Sequence, residues 1–238
     1  MTDQITSSHN EALKEIRKLA GRRWRDKLGE FVAEGEDLLS AADAAGWHAS
    51  ARYAATGSGL DGIPVAPHVM AEISQLGSGT RAIGVYPQRW SAPVGPRCVA
   101  LWGVGDPGNV GTVIRSALAF GASSVALGPG SADPYGHKAV RASMGALFSV
   151  PVARVRKVSE LPGRRVALVA REGVPLGELA PDGDLTLVVG AEREGLARDV
   201  VAACDDVVHI PIAHADSLNA AMAATVALYD LTTRISRP

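Results

Sequence analysis

SLNAAMAATVALYD, Ser217 to Asp230, follows HIPIAHAD and leads to the end of the chain. The apolar run from Val207 to Ile212 reads as a strand. Ala213-His214-Ala215-Asp216 reads as a short polar turn, and a Ser-Leu-Asn triplet then opens an Ala-rich helix. Ser and Asn suit a helix start because their side chains accept hydrogen bonds from the free N–H groups of the first turn. Strand, tight turn and helix in that order form a unit of an α/β sheet.

Upstream the alternation recurs. Apolar runs at Val99–Val104, Ser124–Leu127, Val166–Ala170 and Leu185–Val189 are separated by helical or loop segments. Strands covered on both faces read as continuous apolar runs, so this region predicts an α/β domain with a mainly parallel sheet. Before it, QRWSAPVGP, Gln88 to Pro96, is polar and rich in Pro and Gly, and reads as a linker. The N-terminal part predicts a smaller α/β unit. Ser8-His9-Asn10-Glu11 fits a capping box. Leu13, Ile16, Ala20, Trp24 and Leu28 then recur at helical spacing, Lys14, Lys18, Arg22 and Arg25 follow another face, and Gly29 is the stop. Short strands over 31–33, 51–55 and 82–86 and helices over 36–45 and 67–76 complete the unit. The expected division is residues 1–90 and 91–238.

A chain of 238 residues fits one large domain or two small ones. A content of 47% hydrophobic and 21% charged residues is that of a soluble globular protein. No apolar run reaches the roughly 18 residues of a membrane span, and the N-terminus has no apolar core of signal-peptide length. A cytoplasmic location without membrane association is expected. Cys98 and Cys204 lie far apart without metal-ligand neighbours, and read as reduced thiols with no metal site.

The net charge of −1 conceals an uneven distribution. Lys14, Arg17, Lys18, Arg22, Arg23, Arg25 and Lys27 face only Glu15 and Asp26. Lys138, Arg141, Arg154, Arg156, Lys157, Arg164 and Arg165 form a second basic region, whereas Glu172 to Asp206 is mostly acidic. Clustered cations neutralise phosphates and supply most sequence-independent nucleic-acid affinity; they also occur as solvated helix faces.

GVGDPG, Gly103 to Gly108, matches the glycine fingerprint of a dinucleotide site after a strand and before a helix. Two features oppose that reading: Pro107 removes an N–H from the phosphate turn, and the next strand, SSVALG, ends without an acid for a ribose. Asn109 and Arg115 stand six residues apart, close to two helical turns. Asn109 reads as a helix cap. Arg115, among Val113, Ile114, Ala117 and Leu118, reads as a charge that needs a partner or a task. Gly190-Ala191-Glu192-Arg193-Glu194-Gly195 ends a strand at the edge where open α/β sheets bind ligands.

Taken in order, NVGTVIRSALAFG from Asn109, VVGAEREGL from Val188 and the Ser217 segment resemble the three motifs of the SpoU–TrmH family of RNA ribose 2′-O-methyltransferases. The segment DPYGHKAVRASMGALFSVPV from Asp133 resembles it too, and FVAEGEDLL after a basic helix resembles the family's ribosomal-protein-like RNA-binding domain. The chain differs in having four residues and no Gly between Ile212 and Ser217, and Asn-Ala-Ala where Asn-Val-Ser is common. The resemblance implies a C-terminal SPOUT-type domain with a trefoil knot, S-adenosylmethionine as cofactor, a homodimer with the last helix at its interface, and RNA as substrate: ribosomal RNA first, transfer RNA second. It places Asn109, Arg115, Glu192, Ser217 and Asn219 at the catalytic site, and Gly190, Ile210 and Leu218 at the cofactor. Lys14, Lys18, Arg22, Arg25, Lys138 and Arg141, with Ser143, would lie near the RNA. A non-catalytic RNA-binding protein on a degenerate fold of the same type is the alternative.

Overall fold

A computed structural model describes residues 4–75 and 79–235. Two sheets organise the chain. The N-terminal one follows helices α1 (Glu11–Lys18) and α2 (Arg22–Leu28) and is built from β1 (Glu30–Glu34), β2 (Ala51–Ala55), β3 (Ile63–Val65) and β4 (Ala82–Pro87), with α3 (Glu36–Ala44) and α4 (Pro67–Ile73) packed on it. Its order is β1-β4-β2-β3. The helix expected over 67–76 ends at Ile73, and Leu76 lies outside the described residues.

The helix expected from residue 8 to 28 is two helices. Asn10, not Ser8, caps α1 by accepting from the Ala12 N–H at 3.0 Å. Leu19 and Ala20 turn out of α1, and Gly21 starts α2 from an extended conformation. The break rotates the face that follows. Trp24 and Leu28, expected in the core, are 36% and 43% exposed, while Arg25 turns inward and is buried.

The second sheet contains β5 (Trp90–Ser91), β6 (Arg97–Trp102), β7 (Ser124–Leu127), β8 (Val152–Arg154), β9 (Arg164–Val169), β10 (Val174–Pro175), β11 (Leu185–Gly190) and β12 (Asp206–His209). Its order is β10-β12-β9-β11-β6-β7-β8-β5, with every neighbouring pair parallel. Helices α5 (Pro107–Ala119), α6 (His137–Ala142), α7 (Arg198–Ala202) and α8 (Ala220–Ile235) accompany it. Central β11 and β7 are buried along their whole length, which explains their mainly apolar sequences; the buried Ser124 and Thr186 hydroxyls donate to the Val94 and Pro162 carbonyls. The strand expected to reach Ile212 ends at His209, and Pro211 has no N–H to continue a ladder. Among the described residues no helix is long and apolar enough to cross a membrane.

The segment expected as a linker instead carries β5, which pairs with β8. Trp90 there packs edge-on against Tyr135 at 5.0 Å. One hydrophobic cluster runs across both sheets, with Phe31, Trp47 and Tyr86 from the first meeting Tyr135 and Phe148 from the second. Phe31 and Tyr135 lie 4.8 Å apart, and the Trp47 indole N–H donates to the Phe148 carbonyl at 2.8 Å.

Candidate active site

From β6 the chain proceeds to β7 and β8 on one side, then returns through β9 and β11 on the other. Such a reversal leaves a crevice beyond the strand ends. Here β6 and β11 end side by side, with Gly190 opposite Trp102.

After β6, Gly103 turns the chain at φ +73°, a conformation favoured by glycine, and its N–H donates to the Pro129 carbonyl at 3.0 Å. Asp106, not Asn109, caps α5: its carboxylate accepts from the Asn109 N–H at 2.9 Å. Pro107 occupies the first helical turn, where a missing N–H costs little. The Gly103 amide is engaged internally, Pro107 has none to offer, and Asp106 places a carboxylate on the helix start, so GVGDPG builds a turn and a capped helix rather than a phosphate cradle.

With the cap supplied by Asp106, the Asn109 side chain is free to face the crevice. Its Nδ2 donates to Glu192 Oε1, and its Oδ1 accepts from Asn219 Nδ2 at 3.1 Å. Asn219 is itself fixed as the cap of α8, accepting from the Ala221 N–H at 2.9 Å and the Met222 N–H at 3.3 Å. One residue from each of three distant motifs therefore joins a single hydrogen-bonded chain.

Two cavities meet there. The smaller, about 620 Å³, is lined by Gly103, Gly105, Asp106, Asn109 and Asn219 together with residues 191–194. The larger, about 1060 Å³, is walled by the ends of β9 and β11 and by Ile210, Ile212, Ser217 and Leu218. Ala191 and Glu192 line both. Gly190 is required here for a local reason: a Cβ would come 2.4 Å from the Gly195 carbonyl carbon, because the 191–195 loop folds back on the strand end. The larger cavity is ample for a nucleoside-sized ligand. Its mainly apolar walls suit a flat ring system, and Gly190, Ile210 and Leu218, the three expected cofactor contacts, all lie on them.

Arg115 is not brought into either cavity. It is exposed on the outer face of α5, one position from the buried Ile114 and Ser116, and so needs no buried partner. His214 is an exposed turn residue. The Leu168–Arg171 wall carries no motif in the sequence, where it shows only as the end of an apolar strand followed by Arg171 and Glu172.

The expected RNA contacts divide. Lys14, Lys18, Arg22, Lys138 and Arg141 are exposed. Arg25 does not share that face: its guanidinium is buried, lies 2.8 Å from Asp133, and donates to the Leu19 and Ala20 carbonyls. Ser143 is also buried and donates to the Val140 carbonyl at 2.7 Å. Arg164 and Arg165 pair with Asp206 and Asp205, each at under 3 Å, and Arg154 pairs with Asp26 at 2.7 Å, so Lys138, Arg141, Arg156 and Lys157 are the open part of the second basic region.

Comparison with known proteins agrees with this geometry. Residues 96–229 match the SpoU rRNA Methylase family. The chain is 27% identical to the 23S rRNA (guanosine(2553)-2′-O)-methyltransferase RlmP of Bacillus subtilis, over 96% of this chain and 98% of that one. It is 39% identical to a 23S rRNA (uridine(2479)-2′-O)-methyltransferase of Streptomyces viridochromogenes, over 52% of this chain and 48% of that protein. Among solved structures, an AdoMet-bound rRNA methyltransferase from Sinorhizobium meliloti superposes with a TM-score of 0.89 at 29% identity, covering 98% of both chains. AviRb from Streptomyces viridochromogenes, in complex with AdoMet, gives 0.87 at 28% identity, covering 96% of this chain and 99% of that one. The motif residues, the parallel sheet and the shared-wall cavities have one common explanation: the chain belongs to the SpoU rRNA methylase family.

Proposed function

We propose that the protein transfers a methyl group from S-adenosylmethionine to a ribose 2′-hydroxyl of ribosomal RNA. The observation that carries this reading is the Glu192–Asn109–Asn219 chain beside the wall shared by the two cavities. The larger cavity, with Gly190, Ile210 and Leu218, takes the cofactor, held within the trefoil knot of the family, and Ser217 on the same wall orients the ribose against it. The smaller takes the target nucleotide. When bound, S-adenosylmethionine supplies an electrophilic methyl group; the protein's task is to align a weak nucleophile with it. Asn109 and Asn219 hold each other and offer their remaining amide hydrogens to ribose oxygens. Glu192 orients Asn109. The proton leaves to Glu192, a substrate phosphate or water.

Arg115 serves as a planar clamp for developing negative charge rather than as a base. Its place outside both cavities of a single chain fits a homodimer closed over the α5–α8 face. Residues 1–90 capture RNA and residues 91–238 carry the chemistry, in the cytoplasm where ribosomes are assembled.

Calorimetric titration with S-adenosylhomocysteine and with NADH tests the cofactor, and binding of NADH alone defeats the reading. Transfer of labelled methyl to rRNA from cells lacking the protein, mapped at nucleotide resolution, tests the reaction. RNA binding without methyl transfer would favour the non-catalytic alternative.

A further inference from the structure

The break between α1 and α2 gives Trp24 an unexpected position. It is a large aromatic side chain left 36% exposed while its neighbour Arg25 is buried. Two ammonium groups lie over its ring, Lys18 at 5.3 Å and Lys27 at 5.0 Å from the centroid. The surrounding surface is basic from two directions. Arg22 and Arg23 share α2 with Trp24, and Asp26 of the same helix binds Arg154 at 2.7 Å, which brings in the loop carrying Arg156 and Lys157. The second basic region thus abuts the helix that carries the exposed indole, while Lys18 and Lys27 flank the ring itself.

This aromatic position is also rigidly tied to the substrate cavity. Arg25, the next residue, is locked to Asp133. The loop leading to Asp133 is stitched to the end of β6: Gly103 donates to Pro129 at 3.0 Å, Ala132 to Val104 at 2.9 Å, and Ser131 to Leu101 at 2.8 Å. Gly103 lines the smaller cavity. A short covalent and hydrogen-bonded path therefore sets the span between Trp24 and the methyl-acceptor site.

We propose that Trp24, with Lys18 and Lys27, is a stacking platform for an unpaired nucleotide of the RNA substrate, distinct from the nucleotide that is methylated. This inference rests on the RNA reading above. An indole face accepts any base, and adjacent cations hold the phosphates on either side. The lysines cover the ring in free protein; on binding, one moves from ring to phosphate and opens the face to a base. The platform selects substrates with a single-stranded nucleotide at a fixed distance from the target ribose.

The test uses the full chain with fluorescein-labelled single-stranded oligoadenylate and with a blunt RNA duplex of equal length. Trp24→Ala should weaken oligoadenylate binding about tenfold or more, the scale of one lost stacked base, while Trp24→Phe keeps most of the affinity. Duplex binding should change less than about twofold, because paired bases are not available to stack. The salt dependence of oligoadenylate binding should be unchanged in Trp24→Ala but should fall by about 0.7 in slope for each lysine removed that reaches a phosphate. An unaltered melting temperature and S-adenosylhomocysteine affinity check that Trp24→Ala is folded. Equal affinity of wild type and Trp24→Ala for oligoadenylate would overturn the platform alone. So would equal losses on both RNAs, or a change of oligomeric state without loss of RNA affinity. Failure of the wild-type protein to bind either RNA would overturn the RNA reading as well.

Discussion

At the scale of residues, the site depends on which side chain does the capping. Asp106 supplies the α5 cap, which frees Asn109, and Asn219 caps α8 with its oxygen while its nitrogen reaches Asn109. Glu192 completes the chain by accepting from Asn109. A glutamine at 192 keeps that acceptor without the charge, whereas an alanine leaves the Asn109 amide to rotate. If Glu192 acts by orienting Asn109, Glu192→Gln should retain methyl transfer within about tenfold, while Glu192→Ala falls about a hundredfold or more, the scale of a lost positioned donor. Single-turnover rates on a mapped RNA decide this, and equal losses in both variants would instead make Glu192 the proton acceptor. Much of this set is legible in the sequence, since Asn109, Glu192 and Asn219 sit in ordered motifs. The exchange of caps between Asp106 and Asn109 is not, because either residue type caps equally well.

At the scale of elements, the legible parts are those with strong periodicity or unbroken apolarity. The strand expected at 124–127 is β7, that at 51–55 is β2, and the run from Leu185 is β11. Strands of two or three residues, β3, β5, β8 and β10, have too few positions for a pattern to show and form by pairing with neighbours. The α1–α2 break was hidden because apolar residues on both sides of it keep a helical spacing. It matters, since it turns Arg25 into the link between α2 and the loop beside the site. Arg25→Met should destabilise the protein by about 3–5 kcal/mol by leaving Asp133 buried and unpaired, and Arg25→Met with Asp133→Leu should recover much of that loss. Urea unfolding of both variants checks it; a double variant no better than the single would show that the carbonyl bonds of Arg25 dominate. A second contact between the sheets involves His137 of α6, whose Nε2 lies 3.7 Å from the buried Glu34 carboxylate of β1. Burial holds the His137 pKa below the usual imidazole value, with the Glu34 carboxylate opposing and Arg141 adding to the shift. The unfolded chain therefore takes up this proton first as pH falls below about 6.5, so stability from neutral His137 is present above that pH and declines below it. His137→Gln should flatten the decline in urea midpoint on acidification, and an unchanged pH profile would count against this residue.

At the scale of the whole molecule, α5 and α8 pack side by side through the Ser116–Thr225 hydroxyl pair at 2.6 Å and leave an apolar outer face. Met222, Val226 and Tyr229 form a stripe along α8, Leu118 adds to it from α5, and each is more than 40% exposed. An exposed apolar face of this kind suits the proposed association surface. Arg115 lies one turn from Leu118, on the exposed side of the same helix. If the protein pairs through this face, as proposed, Met222→Asp with Tyr229→Asp should leave only monomer in sedimentation. It should leave S-adenosylhomocysteine affinity within a few-fold, because the larger cavity is walled within one chain, yet abolish methyl transfer. Arg115→Ala should instead keep the dimer and the cofactor affinity and lose about a hundredfold or more in rate. If Arg115 works across the seam, a variant lacking Arg115 and a variant lacking Asn109 complement each other when refolded together. One site of the mixed dimer then combines an intact Asn109 with an intact Arg115 from the other copy, and random pairing returns about a quarter of the wild-type rate. Were both residues to act within one chain, every site in the mixture would lack one of them and no activity would return. Near-normal turnover by folded Arg115→Ala would remove the residue from the mechanism, and the apolar face would then explain assembly alone.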